Sequence, residues 1–335
     1  MHRAYRFSKR NDRKGERIGL LVEGKWRTDW YDTKSTGGEF RRPQTLFRDR
    51  VTRDGSSGFP AEAGRYHLYV SLACPWACRT LVFRKLKKLE SAISLSIVEP
   101  EMGEDGWRFG DGPGCIPDTV NGFTHLHQVY TAAKADYSGR VTVPVLWDKK
   151  RRTIVNNESG EIIRMLNREF GAFGDAAVDF CPEALRHEID AVNEEVYENV
   201  NNGVYRAGFA TEQQAYERAF DRLFATLGDL ERRLSRQRYL VGDRITEADW
   251  RLFTTLVRFD AVYYLHFKCN LRRLADMPSL WGYTRELYQV PGVAETVSLD
   301  HIKRHYYRSH PSINPTRIVP KGPELDFTTP HGRES

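Results

Sequence analysis

Hydrophobic patterning along the 335 residues predicts an α/β domain followed by an all-α domain. Three observations carry this. The β-forming run Tyr66-His67-Leu68-Tyr69-Val70-Ser71 leads through Cys74-Pro75 into an amphipathic stretch and then a second β run. Another pair of β runs follows around a short turn, with a helical pattern behind it. Beyond about residue 175 the β signals stop and apolar residues recur only at three-to-four spacing.

The elements follow in order. Residues 1–60 hold scattered Gly and Pro with the isolated aromatics Trp26, Trp30, Tyr31, Phe40, Phe47 and Phe59 and no sustained period, which predicts an irregular arm whose aromatics dock on the body. After the first strand, Trp76 to Leu89 places Trp76, Leu81, Val82, Phe83, Leu86 and Leu89 among Arg and Lys, an amphipathic helix, and Ile93 to Val98 reads as a strand. A β-α-β unit implies a parallel, right-handed crossover. Residues 100–140 read as an insertion of loop and short helix. Val141 to Trp147 and Thr153 to Asn156 alternate around Asp148-Lys149-Lys150, a hairpin, and Glu158 to Arg168 continues as a helix. The order βαβ then ββα is that of the thioredoxin fold, assigned to residues 61–175. The all-α domain, residues 176–325, opens with helical patterns over Glu183–Asn201 and Thr211–Arg236. Thr246 then reads as an N-cap with Asp249 at the third helical position and Ile245 and Trp250 placed as a hydrophobic staple, so Asp249 is read as structural. From Arg308 the prolines 311, 315, 320 and 323 predict extended chain, ending in a tail over 326–335.

Composition bounds the function. With 40% apolar and 29% charged residues the chain is globular, and no apolar run approaches a bilayer span, which excludes a membrane partner. Met1 to Lys14 is basic and polar without the apolar core of a secretory signal, which predicts a cytoplasmic, reducing location. Five scattered cysteines do not resemble a disulfide framework, and no CxxC pair offers a zinc site. His125-x-His127 lacks a third ligand at suitable spacing, so no metal is assigned. The net charge of +6 is local: residues 1–60 carry 15 Lys/Arg against 8 Asp/Glu, and the remainder stands at −1. Those basic residues alternate with acids and form no nucleic-acid motif, so the arm reads as a solvated basic segment.

Cys74 stands between a strand and a helix, with Pro75 where a missing N–H costs nothing. A sulfur there faces unpaired N–H groups and the positive end of the helix dipole, which predicts a thiol pKa below the free value of about 8.5. Arg79, one turn on, adds charge if it points toward the sulfur. Val143-Pro144-Val145 opens a strand with a proline, which predicts a cis bond that exposes the backbone of Val143 to pair with a bound peptide. Glu158-Ser159 starts the next helix with an acid, a hydroxyl and free N–H groups suited to the charged end of a ligand.

In that order these residues resemble the glutathionyl-hydroquinone reductases, the Xi class of omega-like glutathione transferases. The similarity runs from Tyr66 to the C-terminal Pro-His-Gly-Arg, with a weaker match in the arm. Its carriers include Ser71-Leu72-Ala73-Cys74-Pro75-Trp76-Ala77, Gly106-Trp107, Tyr137-Ser138-Gly139-Arg140-Val141-Thr142-Val143-Pro144, Asn157-Glu158-Ser159, Val200-Asn201-Asn202-Gly203-Val204-Tyr205, Arg258-Phe259-Asp260 and His305-Tyr306. The resemblance implies a helical glutathione-transferase domain and a reaction in which Cys74 thiolate attacks the sulfur of a glutathionyl-hydroquinone and a second glutathione resolves the mixed disulfide. It implies a glutathione site at Trp107, Val143, Pro144, Glu158 and Ser159; Arg108 stands where relatives vary, and a contact with the ligand carboxylate is an expectation for this chain that the resemblance does not carry. It further implies a quinone pocket at Tyr205, Tyr263 and Tyr306, a homodimer, and an active site covered by arm and tail. Other small thiols in place of glutathione, and deglutathionylase or dehydroascorbate-reductase-like chemistry, remain alternatives. A conjugating transferase is disfavoured, because a cysteine at the helix start forms a mixed disulfide with the thiol it should activate. Retention of Cys74, Pro144, Glu158 and the three tyrosines argues against a scaffold. The family commonly has His where this chain has Cys78; one helical turn from Cys74, packing is its expected role rather than resolution.

Overall fold

The computed structural model describes residues 19–29 and 31–333. The basic segment of residues 1–18 and Trp30, both assigned above to the arm, lie outside the described residues. The arm is not wholly irregular. β1 (Leu20–Val22) and β2 (Lys25–Arg27) form a hairpin over Glu23 and Gly24, both at positive φ, the region Gly adopts freely. This hairpin then recruits a partner from the body, and sequence spacing offered no sign of it.

β3 (Tyr66–Val70) is buried along its whole length, as befits a strand covered on both faces. It leads into α1 (Pro75–Leu86), β4 (Ile93–Ile97), α2 (Leu126–Ala133) and the two-residue β5 (Gly139–Arg140). β6 (Val145–Asp148), β7 (Thr153–Asn156) and α3 (Ser159–Arg168) complete this half. The sheet runs β4-β3-β6-β7, with β3 parallel to β4 and antiparallel to β6, the predicted thioredoxin-like arrangement. β6 starts at Val145 rather than Val141, after Pro144, which has no N–H to give the ladder. Its hairpin turn is held by Asp148: Oδ1 accepts from the N–H of Lys150 (2.8 Å) and Arg151 (3.1 Å), while Oδ2 takes the Arg65 guanidinium. β5 joins β1 and β2 in a separate three-stranded sheet, so the arm is sewn to the segment just before the cis proline.

The second half is helical: α4 (Arg186–Val196), α5 (Gly203–Gly208), α6 (Gln213–Leu234), α7 (Glu247–Arg258), α8 (Pro278–Gln289) and α9 (Leu299–Ser309). The sequence pattern predicts none of α5, α8 and α9. The helix predicted over Glu183–Asn201 closes in a π turn at Tyr197–Asn201, and a second π turn, Phe259–Tyr263, extends α7. Such widened turns re-aim side chains within a helix. No helix among the described residues is long and apolar enough to cross a membrane.

Asp249 is structural, as read. Fully buried, it accepts from Thr246 N–H (2.7 Å), Thr246 Oγ1 (2.9 Å), Leu240 N–H (2.9 Å) and Tyr283 O–H (2.7 Å). The tail departs from expectation. It does not reach Cys74: Phe327 packs against Trp281 and Tyr288, and Arg333 pairs with Glu286 at 3.0 Å, fastening the chain to α8. Asp249→Ala leaves four donors buried without this acceptor and should lower unfolding free energy by about 3 kcal/mol or more. Urea denaturation measures this, with the alkylation rate of Cys74 in the native protein unchanged.

Candidate active site

The chain leaves β3 through a tight turn in which Cys74 N–H donates to Ser71 O at 3.2 Å. Cys74 is the N-cap of α1, with Pro75 in the first turn, and the N–H groups of Trp76 and Ala77 face its sulfur. Sγ lies 3.5 Å from the carbonyl oxygen of Val143, and the Val143–Pro144 bond is cis, as the strand-opening proline predicted. The N–H of Val143 has no acceptor among the described residues, which leaves it for an extended ligand.

The thiol does not behave as the helix start alone suggested. Burial pushes its pKa up, against the downward pull of the Ala77 and Trp76 N–H groups and of the Arg258 and Arg42 guanidiniums. Desolvation wins because the sulfur is packed among protein atoms while its residue keeps only partial exposure. Arg79 also departs from expectation: it points away from the sulfur, donating to Ser159 Oγ (3.3 Å) and Asn201 Oδ1 (2.7 Å) with its guanidinium 4.5 Å over the Trp76 ring. Burial, with Arg251 nearby, takes its pKa down to about 9.

A cavity of about 320 Å³ borders this turn. Trp76, Val143, Pro144, Glu158 and Ser159 line it, and the arm contributes Tyr31 and Arg42 to the same wall. Glu158 caps α3, its Oε1 accepting from Gly160 N–H at 3.1 Å. Arg42 stands 5.1 Å over Trp76 and 5.1 Å over Tyr205, bridging the α1 start to the helical half. Sequence reasoning missed Arg42 and Arg258 as neighbours of the sulfur. Nothing in their local spacing marks an arginine that is brought to a distant cysteine.

The three tyrosines converge. Tyr306 Oη lies 2.5 Å from Tyr205 Oη and 3.0 Å from Tyr263 Oη, so the hydroxyls form a chain. Burial drives all three phenols up, which keeps them protonated. Two of the three protons suffice for these bonds, and none of the three tyrosines lines the cavity beside Cys74. Behind them His266 Nε2 meets His310 Nδ1 at 3.1 Å, and His305 bonds the carbonyl of Pro100 at 3.0 Å.

Trp107 and Arg108 are not brought to the cavity wall. Trp107 is buried and stacked on His305 with ring centres 4.8 Å apart, and Arg108 is exposed to solvent. Cys78 is buried with its sulfur 3.7 Å from Thr296 O, a packing position turned away from Cys74. His125 and His127 stack on one another, and His127 stacks on Trp26.

The chain matches the sequence profile "Glutathione S-transferase, N-terminal domain" over residues 73–169 and "Glutathione S-transferase, C-terminal domain" over 213–286. It is 55% identical over 324 residues to "Glutathionyl-hydroquinone reductase YqjG" of Escherichia coli, covering 95% of this chain and 99% of that one. A glutathione-bound structure of that protein superposes with a TM-score of 0.87, covering 94% of this chain and 99% of that one. "Glutathionyl-hydroquinone reductase PcpF" of Sphingobium chlorophenolicum is 56% identical, over 91% of this chain and 96% of its own. The "Xi Class GST from Natrialba magadii" has a TM-score of 0.89 at 51% identity, covering 95% of this chain and 97% of that one.

Because burial raises the Cys74 thiol, its thiolate fraction in the free protein should be small at neutral pH and grow as pH rises past the ordinary thiol value of about 8.5. Iodoacetamide alkylation of Cys74 followed by peptide mass spectrometry checks this; a rate already at its plateau at pH 7 would contradict it.

Proposed function

The chain belongs to the Xi class of glutathione transferases, the glutathionyl-hydroquinone reductases, and from that membership and its site we propose that Cys74 cleaves glutathionyl-hydroquinones through a mixed disulfide. Glutathione is the thiol co-substrate. The observation that carries the reading is the placement of Cys74 Sγ beside Val143 O, bordering a cavity that holds Glu158 and Ser159 at its wall.

Cys74 thiolate attacks the thioether sulfur. The C–S electron pair stays with the aryl carbon, which gains a proton, and negative charge passing through the ring reaches a phenolic oxygen. The proton that the Tyr205–Tyr306–Tyr263 bonds do not use is suited to receive it. Hydroquinone leaves, and a second glutathione thiolate attacks the mixed disulfide, expelling Cys74 and forming glutathione disulfide. The sum is one conjugate and one glutathione to one hydroquinone and one disulfide, so electrons balance without a resolving cysteine. In this reading the free N–H of Val143, beside the cis Pro144, pairs with the glutathione backbone, and Glu158 and Ser159 hold its γ-glutamyl end. Trp107 acts indirectly, by stacking on His305 next to Tyr306; Arg108 receives no ligand contact. A cytoplasmic homodimer belongs to the same reading.

Incubating the protein with a glutathionyl-hydroquinone and glutathione should release hydroquinone, and Cys74→Ser should lower the rate by about three orders of magnitude or more, the loss of a nucleophile. Mass spectrometry should find one glutathione adduct on Cys74. A Ser variant as fast as the parent would overturn the assignment, and a Cys74–Cys78 disulfide would replace the one-cysteine cycle with a two-cysteine one.

A further inference from the structure

Arg258 ends α7 in the helical half and is fully buried. Its guanidinium donates through Nε to Ala73 O (3.0 Å), through Nη2 to Leu72 O (3.0 Å) and through Nη1 to Thr254 O (2.7 Å). No carboxylate among the described residues pairs with it. An unpaired buried cation is costly, and its three acceptors are neutral carbonyls. Two of them belong to the consecutive residues just before Cys74, a geometry that suits the planar fork of Arg and not the point charge of Lys.

We propose that Arg258 is the positioning residue of the nucleophile: it clamps the Leu72 and Ala73 carbonyls so that Sγ stays at the start of α1, and it supplies the buried countercharge for the thiolate. This rests on Cys74 being the nucleophile. The other groups facing the sulfur are Arg42 from the arm, Tyr205 of α5, the carbonyl of Val143, and the N–H groups of Trp76 and Ala77. Cys78, Tyr263, Tyr306 and His305 face Arg258 itself. Arg42 also meets solvent and belongs to a loop. Arg258 is the cation that the core holds in place. Because the π turn Phe259–Tyr263 follows it directly, the clamp on the Cys74 turn and the phenol of Tyr263 are carried by one short segment. The helical half thereby sets the nucleophile and the aryl pocket together.

The test uses the full chain as parent, Arg258→Lys and Arg258→Met, with two readouts: the pH midpoint of Cys74 alkylation, and kcat and KM for hydroquinone release. Arg258→Met should raise the midpoint by about one pH unit, roughly tenfold less thiolate at neutral pH, and lower kcat by about tenfold or more. KM for glutathione should change by less than about twofold, since Arg258 does not line the cavity that holds Glu158 and Ser159. Arg258→Lys should hold the midpoint near the parent value and still lose about tenfold in kcat, because an ammonium keeps the charge and loosens the turn. A folded Met variant with parental midpoint and kcat overturns the proposal. If the Met variant does not fold, Lys decides: parental kcat in Arg258→Lys overturns it, and a parental midpoint with reduced kcat supports it. Alkylation needs no quinone conjugate, so a failure of the proposed reaction, seen as turnover by Cys74→Ser, is read separately.

Discussion

Cys74 Sγ lies 3.5 Å from the carbonyl oxygen of Val143, and that contact joins the first turn of α1 to the residue before a cis proline. Two segments 69 residues apart meet there because β3, which delivers Cys74, pairs antiparallel with β6, which follows Val143. The segment leading into β6 puts the backbone of Val143 beside the sulfur, and the start of α3 lines the same cavity with Glu158 and Ser159. Shift the register of β6 by one residue and every side chain on that strand changes face, so the pairing of Leu68 with Leu146 is what places the site.

Around this contact the protein buries two arginines. Arg79 and Arg258 are each almost fully buried, and both are held by neutral oxygens. Such groups raise the free energy of the empty fold and lower it when an anion forms beside them. Desolvation raises the Cys74 thiol, whereas the arginines and N–H groups lower it. The balance favours the Cys74 thiol, with the positive charges and N–H groups opposing burial.

The helical half does more than wall a pocket. Arg79 of α1 bonds Asn201 in one π turn, and Arg258 of α7, just before the other, bonds the Cys74 turn. Charge-assisted bonds therefore cross between the halves in both directions, each ending next to a site residue. The arm adds a third tie. Its hairpin pairs with Gly139–Arg140, Phe40 packs on Phe209 at 5.2 Å and Phe47 stacks on Tyr137 at 5.5 Å, so Arg42 is carried between Trp76 and Tyr205 from two anchored ends.

Local information in the chain was enough for the strand, Cys-Pro and amphipathic helix, for the hairpin around Asp148, for the Thr246–Asp249 helix start, and for the cis Val143–Pro144 bond. Each depends on residues within a few positions of one another, where spacing translates directly into geometry. The tyrosine triad became legible only through family resemblance, since any one tyrosine among 16 is more often packing than site. What tertiary structure alone decided is the environment of the opening cysteine: that burial outweighs the helix dipole, that Arg42 and Arg258 rather than Arg79 face the sulfur, that Trp107 stands behind His305, and that the tail binds α8. Those outcomes turn on which side chains meet from distant parts of the chain, and desolvation has no local signature because it depends on everything packed around a group and not on its neighbours in the chain.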